Sequence, residues 1–353
     1  MPTLKEIAYR LLVLTGLTWL ATWLNRRKIL VLMYHDVDDH ARDPVQNFDG
    51  LHVQAERFEW QMRYLASRYH VIPLEQILAS SAGRRQSKPL AAITFDDGYQ
   101  ATYRNAFPVL QRLGLPATVF VIADFSLYGR APWWDRLRAM VSATRRQAII
   151  VPIQGNEQSL RLITAQNKQA ALRRLSPELH GLPPERREVL LGRLAADLEM
   201  DERALTTPEP LSVRELREMA EGGISVGSHG RSHDSFLHLS REDLLAELNE
   251  SKRVLESVTG RPVTWLSYPY GEFSDEAMDV VIRAGFGGAV TTIEGLNDGK
   301  QDPYAVRRIG VNDNMSFAQF IVAISGLRDH LKGFLRLGDA ERANARPVPS
   351  GLP

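Results

Sequence analysis

The segment Ile93-Thr94-Phe95-Asp96-Asp97-Gly98-Tyr99 ends an apolar run with two adjacent carboxylates. A second run, Ile224-Ser225-Val226-Gly227-Ser228, leads directly into His229-Gly230-Arg231-Ser232-His233. Both runs have the composition of buried strands. Taken singly, Asp-Asp-Gly is typical of a turn, and two histidines four residues apart are typical of a protein surface. Together, each at the end of a predicted strand, these carboxylates and imidazoles indicate one divalent metal ion and one free base.

Further apolar runs alternate with helical patterns along the chain. The predicted strands are residues 29–34, 91–95, 117–122, 224–227, 263–268 and 288–291. The predicted helices are residues 55–69, 103–113, 241–259 and 274–284. Alternation of this kind predicts a parallel sheet or barrel. The carboxylates and imidazoles follow strand ends, which is where a parallel barrel has its active site.

Three motifs make the chain resemble the polysaccharide deacetylase family, also known as the NodB-homology or carbohydrate esterase 4 family. Thr94-Phe95-Asp96-Asp97-Gly98-Tyr99 resembles its first motif, and Ser228-His229-Gly230-Arg231-Ser232-His233 resembles its second. Ser267-Tyr268-Pro269-Tyr270-Gly271 is similar to a variant of the third. The resemblance covers roughly residues 29–125 and 210–312. It implies an α/β fold, namely a distorted parallel (β/α) barrel of about seven strands.

The resemblance also implies a role for each motif residue. Asp96 would be the catalytic base, and Asp97, His229 and His233 would bind the metal. A carboxylate and two neutral imidazoles leave one position open for water or substrate, as a catalytic site requires. The bound ion would lower the pKa of a water molecule, whose proton Asp96 could accept. Zinc is the predicted ion, with cobalt, nickel or another divalent ion as alternatives.

Asp96 can serve as a base only while it is ionised, so a neighbouring cation is expected. Many members of the family have an arginine where this chain has Ser267. A branch with Tyr-Pro-aromatic-Gly in the third motif supplies the arginine near the last strand of the barrel instead. Arg308 matches that position better than Arg307 does. The alternative interpretation is an ordinary pair of solvated arginines.

In the family, a late Leu-x-His motif supplies the histidine that acts as general acid. This chain lacks that motif: its late histidine, His330, has no predicted strand before it. An early strand ends instead in Tyr34-His35, which resembles the circularly permuted branch found in exopolysaccharide deacetylases. His35 would then protonate the leaving amine; the alternative is a core histidine that caps a strand. Tyr270 lies on a turn whose backbone N–H could help to hold an oxyanion, or its ring could simply pack.

The chain is predicted to divide into five parts. They are an N-terminal amphipathic helix at 1–28, the first part of the barrel at 29–126, an insertion at 127–210, the second part of the barrel at 211–335, and a disordered tail at 336–353. The insertion is predicted to be largely helical. The pair Trp133-Trp134 near its start suits either sugar stacking or core packing.

The N-terminal segment is rich in leucine and tryptophan, and the basic cluster Arg26-Arg27-Lys28 follows it. Its short length and the internal Arg10 argue against a spanning helix. We therefore expect contact with a membrane surface through residues 4–28. A helix docked on the domain and a true anchor are the second and third alternatives. The expected location is the bacterial inner membrane with the leaflet undecided, and a spanning helix would favour a cytoplasmic catalytic domain.

Composition and charge exclude several functions. The 43 basic and 42 acidic residues leave a formal net charge of +1, so nothing indicates a nucleic-acid partner. The absence of cysteine excludes a disulfide framework and a thiolate metal site. A glycosidase is the least favoured enzyme class, because it needs two opposed carboxylates, whereas Asp96 and Asp97 are adjacent.

The predicted function is metal-dependent removal of the N-acetyl group from amino sugars of a bacterial polysaccharide or glycolipid. Two alternatives stay open at this stage. One is a catalytically weak glycan-binding relative, and the other is a hydrolase of other non-peptide C–N bonds.

Overall fold

The structure, a computed structural model, describes residues 3–38, 43–80 and 87–327. The predicted disordered tail at 336–353 and residues 328–335 of the second barrel segment lie outside the described residues.

The strands are β1 (Ile29–Tyr34), β2 (Asp36–Asp38), β3 (His52–Gln54), β4 (His70–Val71), β5 (Leu90–Phe95), β6 (Thr118–Val121), β7 (Ala148–Ile153), β8 (Asn156–Arg161), β9 (Ser225–Ser228), β10 (Trp265–Ser267), β11 (Gly288–Glu294) and β12 (Val306–Gly310). The α-helices are α1 (Leu4–Leu14), α2 (Leu17–Leu24), α3 (Ala55–Arg68), α4 (Ile77–Ser80), α5 (Phe107–Leu113), α6 (Ala123–Tyr128), α7 (Trp133–Ala143), α8 (Ala165–His180), α9 (Pro184–Asp197), α10 (Val213–Glu221), α11 (Arg241–Thr259), α12 (Asp275–Arg283) and α13 (Phe317–Ile324). A π-helical turn at Thr102–Ala106 precedes α5.

Seven parallel strands close into a ring in the order β1-β12-β11-β10-β9-β6-β5. The closing pair is β1 with β5, which align from Ile29 opposite Leu90 to Tyr34 opposite Phe95. All six residues of β5 are buried, as expected for a strand covered on both faces. The predicted seven-stranded (β/α) barrel is therefore confirmed.

One strand of the ring, β12, was not among the apolar runs predicted from the sequence. Its segment Val306-Arg307-Arg308-Ile309-Gly310 contains two arginines, and their side chains face in opposite directions. Arg307 is exposed, whereas Arg308 is fully buried. Because successive strand residues point to opposite faces, one arginine of the pair reaches the barrel interior.

The barrel interior has an apolar floor and a polar rim. Alternate strand residues contribute to the inner cluster: Ile29, Val31, Leu90, Ala92, Phe120, Trp265, Val290 and Val306. The same alternation continues toward the carboxyl ends of the strands and reaches Thr94, Asp96, Ser267 and Arg308. The polar residues of the site are therefore the top layer of the same inward-facing rows.

The N-terminal segment differs from the single amphipathic helix that was predicted. Gly16 adopts a left-handed conformation (φ 76°) between α1 and α2, which ends one helix and starts another. The two helices are inclined at 65° to each other. None of the described helices is by itself long and apolar enough to cross a membrane; α1 and α2 meet that test only as a bent pair.

A second compact unit comprises His40–Gly50 and Tyr128–Pro210. It contains the antiparallel hairpin of β7 and β8 and the helices α7, α8 and α9. Residues 43–50, assigned to the first barrel segment from the sequence, cluster with this unit because Asp49 pairs with Arg138 and Phe48 lies under the Arg138 and Arg173 guanidinium groups.

The tryptophan pair at the start of the second unit packs within that unit. Trp133 is 8% exposed, and the Arg187 guanidinium lies 5.7 Å from the centre of its ring. Its ring also meets that of Trp134 edge to face. These contacts favour core packing over sugar stacking for Trp133.

Candidate metal centre

Three donor atoms from Asp97, His229 and His233 converge at the carboxyl ends of β5 and β9. The two histidine Nε2 atoms are 3.2 Å apart. Asp97 Oδ1 lies 3.5 Å from Nε2 of His229 and 3.7 Å from Nε2 of His233. A tetrahedral zinc ion with bonds of about 2.0–2.1 Å holds its ligand atoms about 3.3 Å apart. The three buried side chains therefore have the spacing of one face of a zinc tetrahedron.

His229 is held in the tautomer that a metal ligand needs. Its Nδ1 lies 2.8 Å from the Ser267 carbonyl oxygen, which can only accept a hydrogen bond. Nδ1 must therefore carry the proton, and Nε2 keeps its lone pair toward Asp97 and His233. Burial lowers the pKa of His229, although the charge of Asp96 opposes that shift. The neutral, metal-binding form is thus favoured.

The backbone of the site is strained at three points. Asp97 (φ 74°), His233 (φ 64°) and Tyr270 (φ 59°) all lie in the left-handed region that non-glycine residues avoid. They are three of the five such residues in the described chain. Strain of this kind persists only where the surroundings hold it, and it concentrates at functional sites.

Arg308 and Asp96 form a buried bidentate pair. Nη1 and Nη2 of Arg308 each donate to one oxygen of Asp96 at 2.7 Å. The other donors go to Thr291 O at 2.8 Å, Thr94 Oγ1 at 3.1 Å and Ser267 Oγ at 3.0 Å. Each of the five N–H groups of the guanidinium therefore has a hydrogen-bond acceptor, which is what a fully buried cation requires.

The charge of Arg308 decides the ionisation of Asp96. Burial by itself would raise the pKa of the Asp96 carboxyl, but the coulombic attraction and hydrogen bonds of Arg308, together with His229 and His35, lower it to about 2. The carboxylate is therefore ionised at neutral pH despite its complete burial. This is the state that a catalytic base needs.

The small side chain of Ser267 joins the Arg308–Asp96 pair. Its hydroxyl lies 3.3 Å from Asp96 Oδ2 and accepts from Arg308. Its carbonyl orients His229. The solvated-arginine alternative for Arg308 is wrong, because the side chain is 0% exposed.

His35 lies at the same rim as Asp96. It follows β1, whose last residue Tyr34 accepts a hydrogen bond from the Asp96 N–H at 2.9 Å. It is half-buried, and its charge contributes to the lowered pKa of Asp96. The next residue, Asp36, is directed to another histidine: its Oδ2 lies 2.9 Å from Nδ1 of the buried His52.

Tyr270 contacts the candidate ligands through its ring. The ring meets that of His233 edge to face, with the centres 4.5 Å apart. The turn itself depends on Gly271 (φ 73°), where a Cβ atom would lie 2.0 Å from Thr292 Oγ1. The side chain of Tyr270 therefore packs against His233. The predicted contact with an oxyanion involves only the backbone N–H of Tyr270.

Sequence reasoning did not identify Glu247, which holds the histidine loop. Its Oε1 accepts from the N–H groups of Arg231 (2.8 Å) and Ser232 (2.7 Å) and from the Ser232 hydroxyl (2.8 Å). Glu247 lies on α11 and is 7% exposed. On the other side of the loop, Asp124 N–H donates to Arg231 O at 2.8 Å. The pattern of α11 resembles any charged helix, so no local signal marks this residue.

Glu247→Ala is expected to weaken zinc binding by about 10–100-fold, the usual cost of losing a group that orients metal ligands. The substitution leaves the Arg231 and Ser232 N–H groups, which lie between the histidines, without their acceptor. Competition with a chromophoric chelator measures the affinity. Glu250→Ala is the matched control, since Glu250 is on the same helix but pairs with Arg253 on the surface. Unchanged zinc affinity in a folded Glu247→Ala protein would contradict this role.

A family profile described as "Polysaccharide deacetylase" matches residues 83–145 and 200–289. The matched segments contain Asp96, Asp97, His229 and His233, and they include the turn at 267–271. His35 and Arg308 lie outside them. The positions of those two side chains relative to the site therefore come from the barrel geometry.

The curated proteins that are similar to this chain include two from different species. "Putative polysaccharide deacetylase YxkH" of Bacillus subtilis (strain 168) is 22% identical over 303 residues, which cover 85% of this chain and 77% of that protein. The Poly-beta-1,6-N-acetyl-D-glucosamine N-deacetylase of Escherichia coli (strain K12) is 33% identical over 91 residues. That stretch is 25% of this chain and 13% of the E. coli protein.

Among solved structures, the Streptococcus pyogenes deacetylase PplD in complex with acetate has a TM-score of 0.58 to this chain. The sequences are 18% identical, and the likeness covers 84% of this chain and 98% of the other. At this identity the likeness concerns the fold, which is the distorted barrel described above.

Proposed function

Because this chain belongs to the polysaccharide deacetylase family, we propose that it hydrolyses the N-acetyl group of amino sugars in a bacterial polysaccharide or glycolipid. The observation that carries the proposal is the convergence of Asp97, His229 and His233 next to the ionised Asp96. The Asp96 carboxylate is buried and ionised, and it is hydrogen-bonded to Arg308 instead of joining the three donor atoms. This arrangement suits a base beside a metal site.

Zinc fits the three donor atoms best. Two imidazole nitrogens and one carboxylate oxygen form the ligand set of a catalytic zinc site with one position open. When bound, the ion supplies Lewis-acid activation of a water molecule and of the acyl carbonyl. Cobalt or nickel suits the same donors, so the identity of the ion in the cell is a question for metal analysis.

The protein side chains handle the protons. Asp96 accepts a proton from the attacking water, and Arg308 keeps it ionised and oriented until then. As the C–N bond breaks, His35 returns a proton to the departing amine, and acetate and a free amino sugar are the products. Histidine suits this step because its pKa lies near neutrality. The Tyr270 backbone N–H is the proposed protein donor to the developing oxyanion.

The glycan is proposed from the relatives. The E. coli protein is named for a poly-N-acetylglucosamine substrate, and the matched 91 residues give a reason to test β-1,6-linked N-acetylglucosamine oligomers first. The catalytically weak glycan-binding alternative is less favoured, because Asp96, Arg308, His35 and all three ligand residues are present at one rim.

Removal of the metal is expected to abolish acetate release, and zinc is expected to restore it. The chain should bind one zinc ion, measured by elemental analysis, and His233→Ala should bind none because it removes one of three ligands. Acetate is measured enzymatically with N-acetylglucosamine oligomers as substrate. His238→Ala is the control, since His238 is exposed and belongs to a short 3-10 turn beyond the loop.

Three results would contradict this function. Acetate release that survives complete metal removal would contradict the metal site. Zinc binding without acetate release from any N-acetylated glycan would favour the glycan-binding relative. Turnover of small amides but not glycans would favour a hydrolase of other C–N bonds.

A further inference from the structure

Helices α1 and α2 expose an apolar surface, which we call the α1–α2 surface. Its exposed large side chains are Leu4, Ile7, Leu11, Leu14, Leu17, Trp19, Leu20, Trp23 and Leu24. Leu4 and Leu14 are more than four-fifths exposed, at 88% and 81%. Large apolar side chains exposed together on two adjacent helices mark an interaction site.

The covered side of α2 is small and polar, whereas α1 has no fully buried residue. In α2 the buried residues are Thr18 and Ala21, and Asn25 at its end donates to Ser325 O at 3.0 Å. In α1, Glu6 accepts from the Ser316 hydroxyl at 2.8 Å. In α2 the usual amphipathic arrangement is thus reversed, since a helix that only covers a core buries its large apolar residues. In α1, Leu12 and Val13 are partly covered, while Leu4, Ile7, Leu11 and Leu14 are exposed. Core packing does not explain the outward leucines and tryptophans.

The charges around the α1–α2 surface are mainly positive. Residues 3–28 contain Lys5, Arg10, Arg26, Arg27 and Lys28, and their only acid is Glu6. Glu6 is already engaged by Arg10 at 3.1 Å and by Ser316. The Arg26 guanidinium lies 4.3 Å from the centre of the Trp23 ring. Tryptophan next to arginine is typical of the headgroup region of a bilayer, and the excess of cations attracts anionic lipids.

We propose that the α1–α2 surface binds a bilayer that contains anionic lipid, and that it lies in the interface without crossing it. A crossing would surround the pair with hydrocarbon and separate Asn25 and Glu6 from their partners in the barrel. Each polar group left unsatisfied in hydrocarbon costs several kcal/mol. The 65° bend also prevents α1 and α2 from acting as one straight span. An interfacial position keeps Asn25 and Glu6 on the protein and places the exposed leucines and tryptophans in lipid.

A second copy of the chain is a less favourable partner for the α1–α2 surface than a bilayer is. Two copies joined by the same patch would bring two sets of five cations to one interface. Lipid phosphates neutralise these cations, whereas a second copy repeats them.

Vesicle flotation of the full chain tests the proposal. We expect binding to vesicles of phosphatidylcholine mixed with phosphatidylglycerol, and much weaker binding to phosphatidylcholine alone. Replacing Trp19 and Trp23 together by serine should weaken binding roughly tenfold or more, because the buried apolar area is lost. Replacing Arg26, Arg27 and Lys28 together by glutamine should weaken it on the order of a hundredfold.

The matched control is Ile150→Ser with Ile163→Ser. Both isoleucines are 63% exposed, as Trp19 is, but they belong to the second unit. This control should bind vesicles as the unchanged chain does, and all variants should keep the same melting temperature and zinc content. Equal flotation of the tryptophan variant and the unchanged chain would overturn the proposal.

Two further results would also overturn it. One is a dimer in solution that the tryptophan variant abolishes, because a second copy would then cover the surface. The other is resistance to extraction by alkaline carbonate, because the pair would then cross the bilayer.

Discussion

Replacing Asp96 with asparagine is expected to lower kcat for N-acetyl hydrolysis by about two to four orders of magnitude, the range for one proton-transfer group. Zinc content should not change, because Asp96 is bound by Arg308 and the three donor atoms are those of Asp97, His229 and His233. Acetate release gives the rate, and elemental analysis gives the metal. Loss of zinc together with activity would make Asp96 a ligand and contradict this division of roles.

The substitution also has a cost in stability that must be separated from the chemistry. Asp96→Asn leaves the Arg308 cation buried without its counter-charge, which costs roughly 3–5 kcal/mol. Asp135→Asn is the control for loss of a buried carboxylate, because Asp135 is equally buried and pairs with Arg138 in the second unit, although Arg138 keeps Asp49 as a second partner. If Asp135→Asn has a lower melting temperature but a normal rate of acetate release, the loss of activity in Asp96→Asn is due to the missing base.

Replacing His35 with alanine is expected to lower kcat on N-acetylated glycans by on the order of a hundredfold or more. The amine is a poor leaving group unless it is protonated, and His35 is the histidine at the carboxyl end of β1, beside Asp96. Zinc content should stay unchanged, because His35 is not among the three ligands. Single-turnover acetate release measures the chemical step.

An activated ester separates an acid from a merely structural histidine. The leaving group of 4-nitrophenyl acetate needs no proton, so His35→Ala should hydrolyse it at nearly the normal rate. A similar loss on the ester and on the amide would mean that the site is distorted. Near-normal turnover of the amide would leave the chain without its assigned acid and would favour the glycan-binding alternative.

The strands and the order of the motifs were legible in the sequence because each depends on neighbours in the chain. β1 was predicted at its observed bounds, Ile29–Tyr34, and α11 at Arg241–Thr259. A parallel strand is buried on both faces, so its residues form a continuous apolar run. The polar groups that follow such runs then meet at one end of the barrel. That argument suffices to bring Asp97 and the two histidines together.

The family motif predicted Arg308, but only the folded barrel shows how the charge is accommodated. Arg308 follows Asp96 by 212 positions, and its own strand contains too much charge to be recognised as apolar. Its burial is stable only because Asp96, Ser267, Thr94 and Thr291 take up all five donors. Such a set of partners is a property of three dimensions.

The sequence by itself therefore placed the two carboxylates and two histidines at one end of the barrel, and its resemblance to a family indicated the candidate role of each. Only the tertiary structure showed that Glu247 accepts hydrogen bonds from the histidine loop. It also showed which side of α2 faces the barrel. The physical reason is the range of the information. Periodicity and motifs report contacts within a few residues along the chain, whereas burial and ion pairing depend on which distant segments meet.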